Sequence, residues 1–207
     1  ATPIHFTLSS AALLQQIQHA TDAIFAQILE AGAGRFVNAV NVYPDGQGDG
    51  QIEALSAARR SLERARIHPD ALLEACLEFV LGQATCSQPA VSHHHYERSL
   101  ALWPAEQSLS RRGCVLFHLG LWWRADAVRH RERYTEACER SRDYFQQAIA
   151  TFRRSHRFDL EARFINALAE VLQRLEQWPE LEQVARRSLT LHQQGVELAS
   201  LEAGQFD

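Results

Sequence analysis

Residues 162–193 decide the fold, and they read ARFINALAEVLQRLEQWPELEQVARRSLTLHQ. On both sides of Trp178 and Pro179 the apolar residues recur mostly three or four positions apart, which is the spacing of an amphipathic α-helix. The apolar positions are Ile165, Leu168, Ala169, Leu172 and Leu175 before the break, and Leu181, Ala185, Leu189 and Leu191 after it. This stretch therefore predicts two helices joined by a short turn into an antiparallel hairpin.

A related pattern occurs twice more toward the N-terminus. Residues 96–103, 145–152 and 185–192 each place a small residue before an aliphatic one and carry a large apolar residue in their last two positions. Each segment follows an apolar helix, so each is interpreted as the second helix of a hairpin. Because one hairpin cannot bury its own apolar face, the pattern predicts hairpins that stack on their neighbours.

The hairpin from Ala162 to Gln193 resembles the tetratricopeptide repeat family. Its apolar positions, together with Ser188, fall on the packing positions of the family's two helices, and Trp178 sits at the family's turn. The spacing of these positions matches a repeat of about 34 residues.

Two further copies of the repeat cover earlier parts of the chain. One starts at Leu116: Leu119-Gly120 resembles the family's Leu-Gly pair, Trp123 occupies its aromatic position, and Tyr134 to Ala137 resembles its Tyr-x-x-Ala turn. The interval from Gly120 to Ala137 is about five residues longer than in the family, which predicts extended helices. The other copy, Leu72 to Trp103, contains a loop longer than the family's turn.

The resemblance covers residues 70–194 and implies an all-α fold of stacked antiparallel hairpins, a TPR-like α-solenoid. It also implies a function: a scaffold, adaptor or assembly factor that binds a partner protein or peptide in a concave groove. Stacked repeats build extended surfaces rather than deep catalytic pockets, so a binding protein is expected and not an enzyme. The oligomeric state cannot be derived from these patterns.

Residues 1–69 form a separate N-terminal segment. A helix of about 20 residues is expected after Ser9-Ser10, and a short alternating stretch at 36–43 suggests a strand. An irregular Gly-rich loop at 44–50 precedes a second helix that ends before Pro69. After the helix around 72–82, a polar loop containing Pro89 leads to a helix from about Ser92, and the C-terminal tail, residues 195–207, is expected to fray.

The composition excludes several classes of protein. The chain has 207 residues, of which 46% are hydrophobic and 22% charged, as in ordinary globular proteins. No apolar run approaches the roughly 20 residues of a membrane span, and no signal sequence is recognised, so a cytoplasmic protein is expected. The four cysteines match no metal-binding spacing, and we interpret them as reduced and mostly buried.

The charges are distributed unevenly along the chain. The net charge is −4 and all 21 basic residues are Arg, which argues against a generic nucleic-acid coat. Sixteen of these arginines fall within residues 98–187, against twelve acidic residues, so this half is basic. Guanidinium groups beside indoles can hold carboxylates while the rings supply contact area, which favours an acidic peptide or protein partner. The candidate contact residues are Trp122, Trp123, Arg129, Arg133, Arg140 and Asn166.

The alternative to partner binding is that the same residues form a solvent-exposed helix face without a binding role. Charges four residues apart, such as Glu136 and Arg140, would then pair with each other and stabilise their own helix by a few tenths of a kcal/mol. The sequence favours neither interpretation over the other.

The loop from Asp45 to Ser56 is the candidate metal site. Asp45, Gln47 and Asp49 occupy positions one, three and five of a twelve-residue calcium-binding pattern, but Ser56 stands where a bidentate Glu is needed. No other cofactor is expected. The stretch from Val37 also resembles the start of the dihydroxyacetone-kinase L domain, whose Asp-Gly-Asp loop binds magnesium and nucleotide phosphates; the displaced carboxylates favour a chance similarity. A calcium- or magnesium-dependent enzyme or regulator is the alternative function.

Histidines offer a second alternative. Arg124 and His130 are separated by five residues, which fits the loose Arg-x4–6-His spacing of helical HEPN-type ribonucleases, so an RNA-binding or RNA-cleaving helical protein is also considered. His93, His94 and His95 are adjacent and cannot all reach one metal ion, because successive side chains on a helix point about 100° apart. We interpret them as a solvated helix cap in which His93 can pair with Glu97.

Overall fold

The computed structural model describes residues 10–30, 56–57, 59–60, 63–64, 66 and 68–203, and this part of the chain is all-α, without a strand. The helices with complete bounds are α1 (Ser10–Glu30), α2 (Ala71–Ala84), α3 (Pro89–Leu102), α4 (Leu109–Arg129), α5 (Tyr134–Arg154), α6 (Phe158–Arg174) and α7 (Trp178–Ala203). A 3-10 turn, Arg131–Arg133, joins α4 to α5. The predicted all-α class is thus confirmed. The candidate strand at 36–43 and the Gly-rich loop at 44–50 lie outside the described residues.

The helix bounds differ from the predicted ones at two places. Pro89, predicted in a loop, is the first residue of α3, so that prediction was wrong. Proline lacks an amide hydrogen that the first turn would leave unbonded anyway, and its fixed φ suits that position. At the other end of the chain, α7 continues to Ala203, past the predicted end near Gln194. The long helices predicted from the Gly120-to-Ala137 interval are present, since α4 and α5 have 21 residues each.

The described helices belong to two compact units, an N-terminal unit with α1 to α3 and a C-terminal unit with α4 to α7. Aromatic side chains form the core of the N-terminal unit. Phe25 on α1 stacks on Phe79 of α2 with ring centroids 4.8 Å apart, and Trp103 meets the edge of Phe25 at 6.0 Å. All three side chains are buried. Burial of rings of this size supplies much of the energy that holds such a small unit together.

Small residues bring α2 and α3 close together. Gly82 lies under the Tyr96 ring, and Ser92 donates a hydrogen bond of 2.8 Å to the Gly82 carbonyl. Two helical turns further along α3, Ser99 donates a hydrogen bond of 2.7 Å to the Ala75 carbonyl of α2. A hydroxyl can reach a backbone carbonyl of the facing helix only where neither helix carries a large side chain, so these residues set the separation of the pair.

The α4/α5 hairpin of the C-terminal unit uses the same device. Gly113 lies against the Phe152 ring and Gly120 against the Phe145 ring, while Ser141 donates to the Gly120 carbonyl at 2.7 Å. Moving seven residues forward on α4 corresponds to moving seven residues back on α5, so both contacts belong to one antiparallel register. Two turns of helix separate successive contacts.

The second hairpin, α6/α7, packs on the first. Phe164 of α6 lies 4.2 Å from the Phe117 ring of α4 and 5.6 Å from the Phe152 ring of α5, measured between centroids. Leu172 of α6 and Leu191 of α7 are also buried. The C-terminal unit therefore contains two consecutive hairpins in direct contact.

The side chain of Asp70 caps the N-terminus of α2. Asp70 is in an extended conformation, and its carboxylate accepts a hydrogen bond of 2.8 Å from the Leu73 amide. We expect Asp70→Ala to lower the free energy of unfolding by about 1 kcal/mol, because that amide loses its partner, whereas Asp70→Asn should keep most of the stability. Urea unfolding followed by circular dichroism measures both. An equal loss in the two variants would show that the cap does not matter.

Candidate functional site

Trp122 and Trp123 are adjacent residues in the second-to-last turn of α4. Their ring centroids are 5.0 Å apart and the ring planes are nearly perpendicular, because consecutive residues point in different directions on a helix. Trp123 is 7% exposed, three positions after Gly120 and on the side of α4 that faces α5. Trp122 is half-buried. Of the two predicted indoles, Trp122 is thus the more accessible to a ligand.

An arginine side chain lies over each of these two rings. The guanidinium carbon of Arg129 lies 5.9 Å from the Trp122 ring centroid, and that of Arg140 on α5 lies 4.7 Å from the Trp123 ring centroid. Arg140 is also paired with Glu136 at 3.2 Å, as predicted from their spacing. Four of the six predicted contact residues therefore form one continuous row, Arg129, Trp122, Trp123 and Arg140, which we call the tryptophan–arginine ladder.

Arg133 has a different role. Its guanidinium pairs with Asp126 at 2.9 Å, and the Asp126 carboxylate, 1% exposed, also accepts from Nδ1 of His130 at 2.9 Å. A buried carboxylate needs such partners, because taking an isolated charge out of water costs several kcal/mol. Arg133 therefore ties the start of α5 to the end of α4, next to the ladder. Sequence reasoning missed Asp126, although its spacing of four residues from His130 is a readable signal.

Asn166 lies on α6, apart from the ladder. It is exposed, and its side-chain oxygen accepts a hydrogen bond of 3.2 Å from Ser188 of α7. An ion pair between α4 and α6 is made by Arg124 and Glu170 at 2.5 Å, and Glu170 also accepts from Arg174. Among the described contacts none joins Asn166 to the ladder.

Arg129 is the cation of the ladder that no carboxylate neutralises among the described residues. It is exposed and lies over the Trp122 ring, whereas Arg124, Arg133 and Arg140 each pair with an acid. The adjacent turn contains Arg131 and Glu132, both exposed. An unneutralised guanidinium held over an indole is a fitting receptor for a carboxylate from outside, because it can bind both oxygens at once.

The residues considered for RNA cleavage are not brought into contact with each other in the described part of the structure. Arg124 is engaged with Glu170 and His130 with Asp126. The three adjacent histidines lie inside α3 and not at its cap, so the solvated-cap prediction was wrong. His93 pairs with Glu97 at 3.4 Å, as predicted, and His95 donates through Nδ1 to the buried Glu78 at 2.6 Å.

The metal-site candidates Asp45, Gln47 and Asp49 lie outside the described residues, so calcium or magnesium binding at that loop stays a prediction. Within the described part of the chain, no group of three His, Cys, Asp or Glu side chains is arranged to hold a metal ion. None of the helices described is long and apolar enough to cross a membrane.

The described cysteines are free thiols, as predicted, and three of the four are buried. Burial raises the pKa of the Cys114 thiol to about 12, despite the nearby guanidiniums of Arg163, Arg157 and Arg111. A thiol that stays protonated is a poor nucleophile, so Cys114 acts as a small packing residue.

Comparison with known proteins relates the chain to a longer polypeptide. No protein-family model matches it. Over 131 residues, 61% of its length, the chain is 27% identical to an uncharacterized WD repeat-containing protein of Synechocystis sp.. The chain spans 8% of the length of that relative. The comparisons thus connect the chain with one segment of a repeat-containing protein and assign it to no family.

Proposed function

We propose that the chain is a protein-interaction module, a scaffold or adaptor, whose C-terminal unit binds an acidic peptide or acidic protein surface at the tryptophan–arginine ladder. One observation carries this proposal: exposed Arg129 lies over half-buried Trp122 and has no carboxylate partner among the described residues. Trp and Arg are the residue types that most often dominate the binding energy of protein interfaces.

The rest of the ladder supports the Trp122 ring. Trp123, whose ring meets the Trp122 ring at 5.0 Å, is 7% exposed and lies under Arg140, so the Trp122 ring that meets the ligand rests on a packed side chain. A receptor that is ordered before binding loses less side-chain entropy when the ligand arrives. Stacked hairpins of the kind that the sequence resembles offer wide, shallow surfaces suited to such a partner.

The name of the Synechocystis relative agrees with an interaction role without specifying it. A WD repeat is a four-stranded propeller blade, whereas the described residues of this chain are helical. We infer that the chain corresponds to a helical segment combined with propeller repeats in that longer protein. Joining two kinds of repeat surface in one polypeptide is a sensible arrangement for a scaffold that brings partners together.

Binding of an acidic probe tests the proposal. We use a fluorescein-labelled peptide of about twelve residues, mostly glutamate, and follow its anisotropy at low ionic strength. Trp122→Ala and Arg129→Gln should each raise the Kd at least about fivefold, because each removes a group that contacts the ligand, and a loss above 1 kcal/mol marks such contacts. Salt should weaken the wild-type interaction as well.

Arg186→Gln is the matched control for charge. Arg186 lies on α7, is highly exposed and pairs with Glu182 at 2.7 Å, so its replacement makes the same change in net charge away from the ladder. Equal weakening by Arg186→Gln and Arg129→Gln would reduce the interaction to non-specific attraction. A probe that fails to bind, or binds all variants alike, would contradict the proposal.

A further inference from the structure

The helix α7 carries apolar side chains on two faces. On the first face Leu191 is buried, and Val184, seven residues before it, is half-buried. On the second face Trp178 is 55% exposed, Leu189 is 60% exposed and Ala185 is exposed as well. A surface helix that packs on one side needs a single apolar stripe. The second stripe of α7 is therefore available for another contact.

The accessible side chains of α7 follow one line along the helix. Trp178, Ala185 and His192 are spaced by seven residues, which is two helical turns, and Leu189 follows Ala185 by four. His192 is exposed like Ala185. We call these four residues the α7 stripe. Single exposed apolar residues are common on protein surfaces, whereas a contiguous apolar row is typical of an interaction site.

We propose that the α7 stripe binds the same stripe of a second copy of the chain, with the two helices antiparallel. A two-fold axis at Ala185 makes the stripe self-complementary, because residues equally far from Ala185 in opposite directions then face each other. Ala185 meets Ala185 at the axis, where two small side chains let the helices approach closely. Leu189 of each copy lies in the same layer as the half-buried Leu181 of the other.

The two ends of the stripe are complementary in their polar atoms. Trp178 and His192 lie on either side of Ala185, each roughly 10 Å from it along the axis, so Trp178 of one copy faces His192 of the other. His192 donates through Nδ1 to the Ser188 carbonyl at 2.8 Å, which leaves Nε2 of the neutral imidazole as an acceptor. The indole nitrogen of Trp178 is only a donor. Each end of the interface can therefore form one hydrogen bond.

The charges beside the stripe are also self-complementary. Glu182 and Arg186 flank Ala185 on the same side of α7, and their side chains are 64% and 78% exposed. The two-fold axis brings Glu182 of each copy opposite Arg186 of the other, offset by about 3 Å along the helix at 1.5 Å per residue. An acid thus meets a base on both copies. A partner surface of one charge sign would instead oppose one of these two side chains, so the charges favour a second copy as the occupant.

The expected dimer is weak. One helix face from each copy makes a small interface, for which we expect a Kd of about 10–100 µM, so the chain is mostly monomeric below about 1 µM. This association is independent of the proposed function, because the tryptophan–arginine ladder belongs to α4 and α5. Trp122→Ala should therefore leave the dimer unchanged.

Sedimentation equilibrium of the full chain, from about 1 to 500 µM, tests the proposal. Leu189→Glu should raise the Kd at least about tenfold, because it places a charge in the apolar centre of the interface. Val128→Glu is the matched control: Val128 is 64% exposed on α4, so the same chemical change outside the stripe should leave the Kd unchanged. Circular dichroism checks that both variants are folded.

Charge reversal tests the antiparallel arrangement. Glu182→Arg and Arg186→Glu each place like charges opposite each other in a dimer of identical copies, so each variant alone should associate more weakly than the wild type. Mixing the two variants restores opposite charges at both positions and should lower the Kd at least about fivefold relative to either variant alone. Both variants have lost the pair within their own helix, so only contacts between copies can cause this recovery.

Three results would overturn the proposal. A wild-type chain that stays monomeric at about 500 µM would leave the α7 stripe to a helix of a different polypeptide. A Leu189→Glu variant that associates like the wild type would place the dimer contact on another surface. A mixture of the two charge variants that associates no better than either variant alone would exclude the antiparallel pairing at Ala185.

Discussion

Replacing Gly120 with alanine is expected to lower the free energy of unfolding by about 2 kcal/mol. A Cβ at this position would stand 2.5 Å from two carbons of the Phe145 ring, a distance that real side chains do not tolerate. The ring cannot move aside, because Phe145 is fully buried in the hairpin. Overpacking of a core costs about 1–3 kcal/mol, and we expect the upper end here, about 3 kcal/mol. The higher helix propensity of alanine offsets about 1 kcal/mol of this cost, which leaves a net loss of about 2 kcal/mol.

Gly195→Ala is the control for this prediction. Gly195 lies in α7, and an added Cβ there meets no atom within 4 Å. The same chemical change should therefore stabilise the chain by up to about 1 kcal/mol through helix propensity alone. Urea unfolding monitored by circular dichroism gives both values. If the two variants shift stability in the same direction, the close approach of α4 and α5 at Gly120 is not what determines their packing.

The Gly120 contact also shows how much of the fold could be predicted. Gly120 belongs to the Leu-Gly pair noted in the sequence, and Phe145 begins one of the three repeated segments, so the pairing of α4 with α5 follows from local pattern. Helical periodicity predicts such hairpins because one face of each helix must be buried. The start of α3 could not be predicted in the same way, because Pro89 is compatible both with a loop and with a first helical turn.

The candidate site was predictable only in part. The neighbourhood of Trp122, Trp123 and Arg129 is visible in the sequence because these residues are close in the chain. The burial of Trp123 depends on the register between α4 and α5, which periodicity alone does not give. The ion pair between Arg124 and Glu170 was not predicted, since the two residues lie 46 positions apart in the chain and meet only after the hairpins pack.

Buried carboxylates are the features least visible in the sequence. Glu78 stands between Leu77 and Phe79 in an apolar helix, is 1% exposed, and pairs with Arg59 at 2.8 Å and Arg98 at 3.1 Å. Glu161 of α6 is 0% exposed and is held by Arg153 and Arg187. The partners lie 8 to 26 residues from their carboxylates in the chain, and a spacing rule based on one helix cannot find them.

Glu161→Gln is expected to be the most damaging conservative substitution in the C-terminal unit. The amide keeps the shape of the side chain but loses the charge that holds two guanidiniums, one on α5 and one on α7. Breaking a buried ion pair costs about 3–5 kcal/mol, and because Arg153 and Arg187 are partly exposed to water we expect a cost below that range, about 2–3 kcal/mol at pH 7. Glu182→Gln, on the exposed surface of α7, should change stability little.

The effect of Glu161→Gln should disappear as the pH falls. Burial disfavours the ionised form of Glu161, but hydrogen bonds from Arg187 and Arg153 outweigh burial and hold the pKa of this carboxyl below its ordinary value of 4.5. A group whose pKa is lowered by folding stabilises the native state above its unfolded pKa and loses that contribution as the pH falls through the folded pKa. Urea unfolding from pH 7 down to about 3 should therefore show the wild type losing stability faster than the variant below about pH 4.5. A difference between the two proteins that stays constant over this range would mean that the charge of Glu161 does not hold α5, α6 and α7 together.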